Sequence, residues 1–266
     1  MTIYTDINKM RIRSATTIAI MGLRYLEGIV ERDGFGKRFD AESKKLLRTR
    51  PTAVVMHNAI KRVQERPQLE EIDKTIAFLK NAKNDIARNG ARLFKKGKKL
   101  SILTHCESTE TVELFRQNKK FIKKIFVTET RPFYQGMLTA KDTSGSKINT
   151  NLIIDSAIGY YIDQVDMVVV GADAIRREGI VNKIGTLPLA VLAKEYGKPF
   201  YVAANTYKMD DRKSYSIEMR DPDEIHKPIK GINILNPVFD VTPWKYVTKV
   251  VTEDGIFSPG RIRGMI

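Results

Sequence analysis

Beyond residue 99 the chain is a series of short apolar runs, most of them followed by a stretch with helical spacing. The runs are Leu100–Cys106 (LSILTHC), Lys124–Thr130 (KIFVTET), Asn151–Asp155 (NLIID), Met167–Asp173 (MVVVGAD), Pro199–Asn205 (PFYVAAN) and Tyr246–Asp254 (YVTKVVTED). Apolar β-branched runs without polar alternation indicate strands buried on both faces. Helical patterns such as Thr109–Asn118 and Leu187–Tyr196 lie between them. That alternation predicts an α/β domain, a Rossmann-like parallel sheet covered by helices, over residues 93–266. Residues 1–92 carry no strand signal. Ile12, Ala15, Ile18, Ala19 and Leu26 recur at helical spacing, as do Ile72, Ile76, Leu79 and Ile86. A helical N-terminal domain of three or four helices is expected there, with Pro51 in the TRPTA break placed to start a helix.

A folded chain of 266 residues buries roughly 70–75% of its unfolded surface, so it needs neither disulfides nor metal for stability. The single cysteine, Cys106, excludes an internal disulfide and a multi-cysteine metal cluster. No apolar run is long enough to span a bilayer, and the opening MTIYTDINKM lacks a signal-peptide core, so a cytoplasmic protein without a membrane partner is expected. The net charge of +15 raises the question of nucleic acid. Residues 1–92 carry 19 basic and 11 acidic side chains, and residues 93–266 carry 27 and 20. The excess is spread, and only Lys95, Lys96, Lys98 and Lys99 cluster, around Gly97, which reads as a turn before a strand. A solvated lysine-rich surface with no specific nucleic-acid partner is the reading.

The strand candidates end in Cys106, Glu129–Thr130–Arg131, Asp155, Asp173 and Asn205. Open parallel sheets take ligands outside the carboxyl ends of their strands, so these endings should converge on one crevice. Cys106, flanked by His105 and followed by Ser108 and Thr109 as helix caps, is placed either for a thiolate of lowered pKa or for a small buried apolar residue. Asp173 suits a general acid if its surroundings raise its pKa, and otherwise a turn cap. Gly185 and Thr186 open the pattern Leu187–Tyr196, so Asn182, Lys183 and Gly185 read as a turn at a helix N-terminus, an anion site. Lys183 would pair with a phosphate there. Arg13 and Arg50, each near a helix start, are further phosphate candidates. There is no GxGxxG or Walker-type loop, and His57, His105 and His226 lack metal-ligand spacing. Chemistry on a phosphorylated small molecule, with no metal or organic cofactor, is the expectation.

Several segments resemble one superfamily: ETRPFYQGMLTA (129–140), IIDSA (153–157), GADAI with NKIGT, and FDVTPWKYV (239–247). It comprises isomerases of methylthioribose 1-phosphate and ribose 1,5-bisphosphate, and the alpha, beta and delta regulatory subunits of the exchange factor for translation initiation factor two. The likeness runs from RIRSA (11–15) onward, and ANTYKMD (204–210) with IEMRDP (217–222) is most similar to the archaeal ribose-1,5-bisphosphate isomerases. The resemblance implies catalytic roles for Cys106 and Asp173. It implies phosphate and sugar contacts at Arg13, Ser14, Ala15, Thr16, Arg50, Ser108, Asn182, Lys183 and Lys208. It also implies a homo-oligomer, a dimer or hexamer. The family's arginine-glycine-alanine is Arg13–Ser14–Ala15 here, and the histidine and lysine near its catalytic cysteine are Glu107 and Thr109, with Glu110 next. The implied activity is conversion of an aldose 1-phosphate, ribose 1,5-bisphosphate first, to the ketose 1-phosphate. The alternative is a non-catalytic regulatory protein that binds a sugar phosphate or nucleotide and engages translation initiation factor two. Retention of both Cys106 and Asp173 favours the enzyme.

Overall fold

The computed structural model describes residues 3–8, 14–94 and 97–266. Internal contacts divide the chain into Met1–Ala82 with Tyr207–Met209, and Lys83–Thr206 with Asp210–Ile266.

The described part of the first unit is helical: α1 (Ile3–Asn8), α2 (Ala15–Asp33), α3 (Lys37–Thr49), α4 (Val54–Glu65) and most of α5 (Leu69–Gly90), which continues into the second unit. That is one helix more than expected, because α1 is too short to show a periodic face in sequence. Ile18, Leu23, Leu26, Leu46, Met56, Ile60 and Ile72 pack as its core. Each such side chain contributes about 1.5–3 kcal/mol on burial. Pro51 does not start a helix; it lies in a turn, and α4 begins at Val54. The returning segment Tyr207–Met209 is held by Asn58, whose Nδ2 donates to the carbonyls of Tyr207 (2.8 Å) and Met209 (2.6 Å).

The second unit alternates strand and helix: β1 (Leu100–Thr104), α6 (Thr109–Gln117), β2 (Ile122–Thr128), α7 (Gly136–Gly145), β3 (Thr150–Ile153), α8 (Ile158–Tyr161) and β4 (Met167–Val170). It continues with β5 (Ala174–Ile175), β6 (Gly179–Lys183), α9 (Thr186–Glu195), β7 (Phe200–Ala203), β8 (Phe239–Pro243), β9 (Lys249–Thr252), β10 (Gly255–Phe257) and α10 (Pro259–Arg263). The main sheet has the order β10-β9-β7-β4-β1-β2-β3, parallel except for β10. All six predicted strands are in it. One face of the sheet packs Ile102, Ile125, Val127, Met167, Val169, Ala203 and Val251 against Ile86, Leu114 and Phe115 of the helices.

A second sheet, β5-β6-β8, is antiparallel and was not anticipated. β5 spans only two residues, too few for a periodic signal, and the polar end of β6 has the composition of a turn. Asn182 and Lys183 are therefore strand residues, opposite Asp240 and Phe239 of β8. The main-sheet order reverses direction between β1 and β4, which both neighbour one another and lead to opposite halves of the sheet. A crevice forms where strand order reverses in this way, outside the carboxyl ends of the two strands. Among the described residues no helix is long and apolar enough to cross a membrane.

Candidate active site

Cys106 follows β1 and Asp173 follows β4, so the two leave adjacent strands on the two sides of that reversal. Cys106 has φ 69°, in the left-handed region that a side chain with Cβ rarely adopts. Its backbone is held on both sides: its N–H donates to Thr130 Oγ1 (3.0 Å), and its carbonyl accepts from Thr139 Oγ1 (2.9 Å). Thr130 is itself left-handed at φ 62°. Asp155 secures it, accepting the N–H groups of Thr130 and Arg131 at 2.7 Å each. Asp155 thus acts here through the backbone that carries Thr130.

Of the two placements open for Cys106, a thiolate of lowered pKa or a small buried residue, its surroundings match the buried one. Burial pushes the Cys106 thiol up to about 12, and the nearby Asp173 and Glu107 carboxylates add to the rise. Lys183 and the Glu107 N–H act in the opposite direction without offsetting it. Cys106 precedes the helix cap by two residues, so the α6 N-terminus does not compensate for lost hydration. The ligand-free thiol therefore carries its proton.

Ser108 is the N-cap of α6, its hydroxyl accepting from Thr111 N–H at 3.3 Å. The same hydroxyl donates to Glu110 Oε2 (3.1 Å), which also accepts from Thr109 Oγ1 (3.2 Å). Glu110 Oε1 accepts from Asn205 Nδ2 at 2.9 Å. Glu110 is buried, so this chain's extra carboxylate is turned inward and joins the end of β7 to the start of α6. Ser108 also lies against Gly171, where a Cβ would stand 2.6 Å from the Ser108 Cβ. Only glycine permits that approach.

Asp173 is half-buried, its N–H donating to the Val181 carbonyl at 2.9 Å, which ties the end of β4 to β6. Lys183, 5% exposed, ends β6 with its ammonium 5.7 Å from the Phe239 ring centroid and close enough to favour the Cys106 thiolate. Asn182 Nδ2 donates to Thr186 Oγ1 (3.0 Å), and that hydroxyl donates to the Lys183 carbonyl (2.6 Å). The expected anion site at the α9 N-terminus is already filled. The Asp240 carboxylate accepts from Gly185 N–H (2.8 Å) and Leu187 N–H (3.1 Å). Burial pushes Asp240 up to about 6 despite these bonds. The amides of that helix end are thus taken by Asp240, and Lys183 is the cationic side chain at the end of β6.

The remaining predicted residues lie in the first unit. Ser14 caps α2, its hydroxyl accepting from Thr17 N–H at 3.4 Å; Ala15 and Thr16 begin that helix. Arg50 is the C-cap of α3, four residues before α4 begins. Lys208 is buried in a short turn at Thr206–Lys208. Arg13 lies outside the described residues.

Sequence reasoning gave no role to His105. Its ring is fully enclosed between Thr128 Oγ1 (2.6 Å) and the Ile184 carbonyl (2.9 Å). It also missed the cap supplied by Asp240, although FDVTP was singled out as a segment. Among the described residues no group of three or more His, Cys, Asp or Glu side chains is arranged to hold a metal ion.

Comparison with known proteins places this architecture. The sequence profile of the Initiation factor 2 subunit family matches residues 11–259. Ribose 1,5-bisphosphate isomerase of Methanocaldococcus jannaschii is 37% identical, over 96% of this chain and 90% of its own length. Among solved structures, the translation initiation factor eIF-2B of Pyrococcus horikoshii superposes with a TM-score of 0.85 at 28% identity, covering 98% of this chain and 97% of its own. The 5-methylthioribose 1-phosphate isomerase of the same organism gives 0.77 at 29% identity, with 99% and 85% covered. By profile, sequence and fold together, the chain belongs to the Initiation factor 2 subunit family.

Proposed function

We propose that the protein is an aldose–ketose isomerase of the cytoplasm that converts an aldose 1-phosphate to the ketose 1-phosphate, with ribose 1,5-bisphosphate as substrate. The observation that carries this reading is the pairing of Cys106 and Asp173 at the β1–β4 reversal, with Lys183 beside them. The sequence kinship with ribose 1,5-bisphosphate isomerases supports the choice of substrate.

The phosphate on C1 locks the sugar as a ring, so isomerisation starts with ring opening. The pair starts with the proton on the thiol; the reaction needs that proton on Asp173, leaving a neutral acid and a thiolate, and Lys183 favours the thiolate. Asp173 then protonates the ring oxygen as the bond from C1 to that oxygen breaks. The Cys106 thiolate removes the C2 proton, and the electron pair forms the C1–C2 double bond. In the second half, Asp173 takes back the proton of the C2 hydroxyl, and Cys106 returns its proton to C1. Both residues end as they began the chemical step. Each acid–base role contributes about 10²–10⁴ in rate. Lys183 holds a phosphate, and apolar walls keep water from the intermediate.

Purified protein given ribose 1,5-bisphosphate should form ribulose 1,5-bisphosphate, followed by NMR. Cys106→Ser and Asp173→Asn should each abolish turnover while ligand-induced thermal stabilisation persists. Absence of turnover across pH, with methylthioribose 1-phosphate and nucleotide activators also tried, would sink the enzyme reading. A second reading has support in the likeness to the P. horikoshii eIF-2B structure: a regulatory protein that binds initiation factor two. Calorimetry with that factor separates the two. Self-association, as a dimer or hexamer, is the expected assembly and is read by light scattering.

A further inference from the structure

The polarity of the hydrogen bonds around His105 follows from donor and acceptor chemistry alone. The Ile184 carbonyl can only accept, so His105 Nε2, at 2.9 Å, carries the hydrogen. Burial, with Lys183 acting in the same sense and Asp155 against it, lowers the pKa of the ring, so the ring is neutral and Nδ1 is a bare acceptor. Thr128 Oγ1, 2.6 Å away, must therefore donate its one proton to Nδ1. The Thr130 hydroxyl is then the donor to Thr128 Oγ1 at 3.3 Å, its single proton shared with the Thr128 carbonyl at the same distance. It accepts, in turn, from Cys106 N–H at 3.0 Å.

The result is a chain of bonds pointing one way, from the Cys106 amide through Thr130, Thr128 and His105 to the Ile184 carbonyl. Hydrogen bonds aligned in one sense reinforce one another. Its two ends are the residue carrying the thiol and the residue next to Lys183. The surroundings are shaped to keep the ring there. Gly185 turns at φ +105°, and a Cβ on it would come within 3.0 Å of the His105 ring. The chain joins the carboxyl ends of β1, β2 and β6, which otherwise share no direct ladder between β1 and β6.

We propose that His105, as the Nε2–H tautomer, is a positioning residue that fixes the Cys106 thiol relative to the Lys183 ammonium. It touches no reacting atom; it closes the hydrogen-bond chain that joins their backbones. The consequence for the reaction rests on the isomerase reading above, whereas the tautomer and the reactivity of the thiol do not.

Two substitutions cut the chain at different points. Asn at 105 presents an acceptor to Thr128 but is too short to reach Ile184; Gln reaches Ile184 but leaves Thr128 unpaired. Lys183 would hold phosphate in ground and transition states alike, whereas Cys106 acts on the proton only in the transition state. His105→Asn should therefore raise KM for ribose 1,5-bisphosphate roughly tenfold with kcat little changed, and His105→Gln should lower kcat roughly tenfold with KM little changed. The same split from both variants, or lost thermal stability with unchanged constants, would overturn the proposal.

The chain has three histidines, so ¹⁵N-histidine spectra of the whole wild-type protein can be assigned by elimination with His57→Asn and His226→Asn. This works even if the His105 variants do not fold. His105 should show protonated Nε2 and bare Nδ1, unchanged between about pH 5.5 and 8. An Nδ1–H tautomer, or titration within that range, would refute it. If the wild type does not turn over the sugar, the functional reading fails separately, and iodoacetamide alkylation of Cys106 decides the positioning role. It should be faster in His105→Gln and unchanged in His105→Asn; equal rates in the two folded variants would count against it.

Discussion

The Cys106 amide donates to the Thr130 hydroxyl at 3.0 Å, and both residues hold left-handed backbones, at φ 69° and 62°. Each such conformation costs on the order of 1–3 kcal/mol, and it persists only where surrounding bonds over-determine it. Thr139 and Asp155 supply those bonds from α7 and from the residues after β3. The strain is thus concentrated at the end of β1, where the candidate active site begins.

Removal of the Thr130 hydroxyl tests that relationship. Thr130→Val keeps the shape and leaves the buried Cys106 N–H without its acceptor, which should cost about 1–3 kcal/mol of stability in urea unfolding. Thr130→Ser restores the hydroxyl and should recover most of the loss. Equal stability of the Val and Ser variants would show that the bond contributes nothing.

The buried thiol makes a second prediction. With its pKa raised to about 12, Cys106 should resist iodoacetamide at pH 8, with thiolate present in about one molecule in ten thousand. Absorbance at 240 nm should show no thiolate step between pH 7 and 10 in the folded protein, and one near 8.5 in urea. Because the folded pKa lies above the unfolded one, this group's stabilising contribution is complete below about pH 8.5 and is lost as pH rises toward 12. Cys106→Ala should accordingly flatten the alkaline side of the stability profile. A sulphur titrating near neutrality would restore the thiolate reading.

Gly171→Ala should act on the site through Ser108. The new Cβ would stand 2.6 Å from Ser108 Cβ and 2.7 Å from its Oγ, so the α6 cap must shift. Overpacking of this kind costs about 1–3 kcal/mol. The displaced hydroxyl would also release Glu110 Oε2, which it now meets at 3.1 Å. Thermal unfolding and ligand-induced stabilisation should both decline; a variant matching the wild type in both would show that the approach is easily relaxed.

The legible parts of this molecule are those written in local pattern. Val168, Val169 and Val170 sit in the middle of the sheet, buried on both faces, and a continuous apolar run reports that directly. Cys106 and Asp173 stood out because they follow such runs, and strand order then brings them together. The β6–β8 pairing was not legible: Asn182 and Asp240 are adjacent only through a ladder between segments far apart in sequence. For the same reason the α9 N-terminus read as a vacant anion site. Its occupant, Asp240, arrives from another strand. The choice between thiolate and buried residue at Cys106 stayed open for a like reason, since helix proximity can be inferred from spacing but the depth of burial around Cys106 cannot.

Asp240 supplies the last prediction, in which sign matters. Burial raises its pKa from the usual carboxylate value of 3.8 to about 6, even though the amides of Gly185, Thr186 and Leu187 favour the charged form. The folded protein therefore binds this proton more tightly than the unfolded chain. Its stabilising contribution is present below about pH 4 and is lost as pH rises through 6, an effect of at most about 3 kcal/mol. Asp240→Asn keeps a side-chain oxygen to cap α9 and carries no charge. It should gain stability relative to the wild type at pH 8, and the difference should shrink between pH 7 and 5 in paired urea titrations. A variant less stable at pH 8 by the same margin as at pH 5 would mean that the second carboxylate oxygen matters to the cap more than desolvation of the charge does.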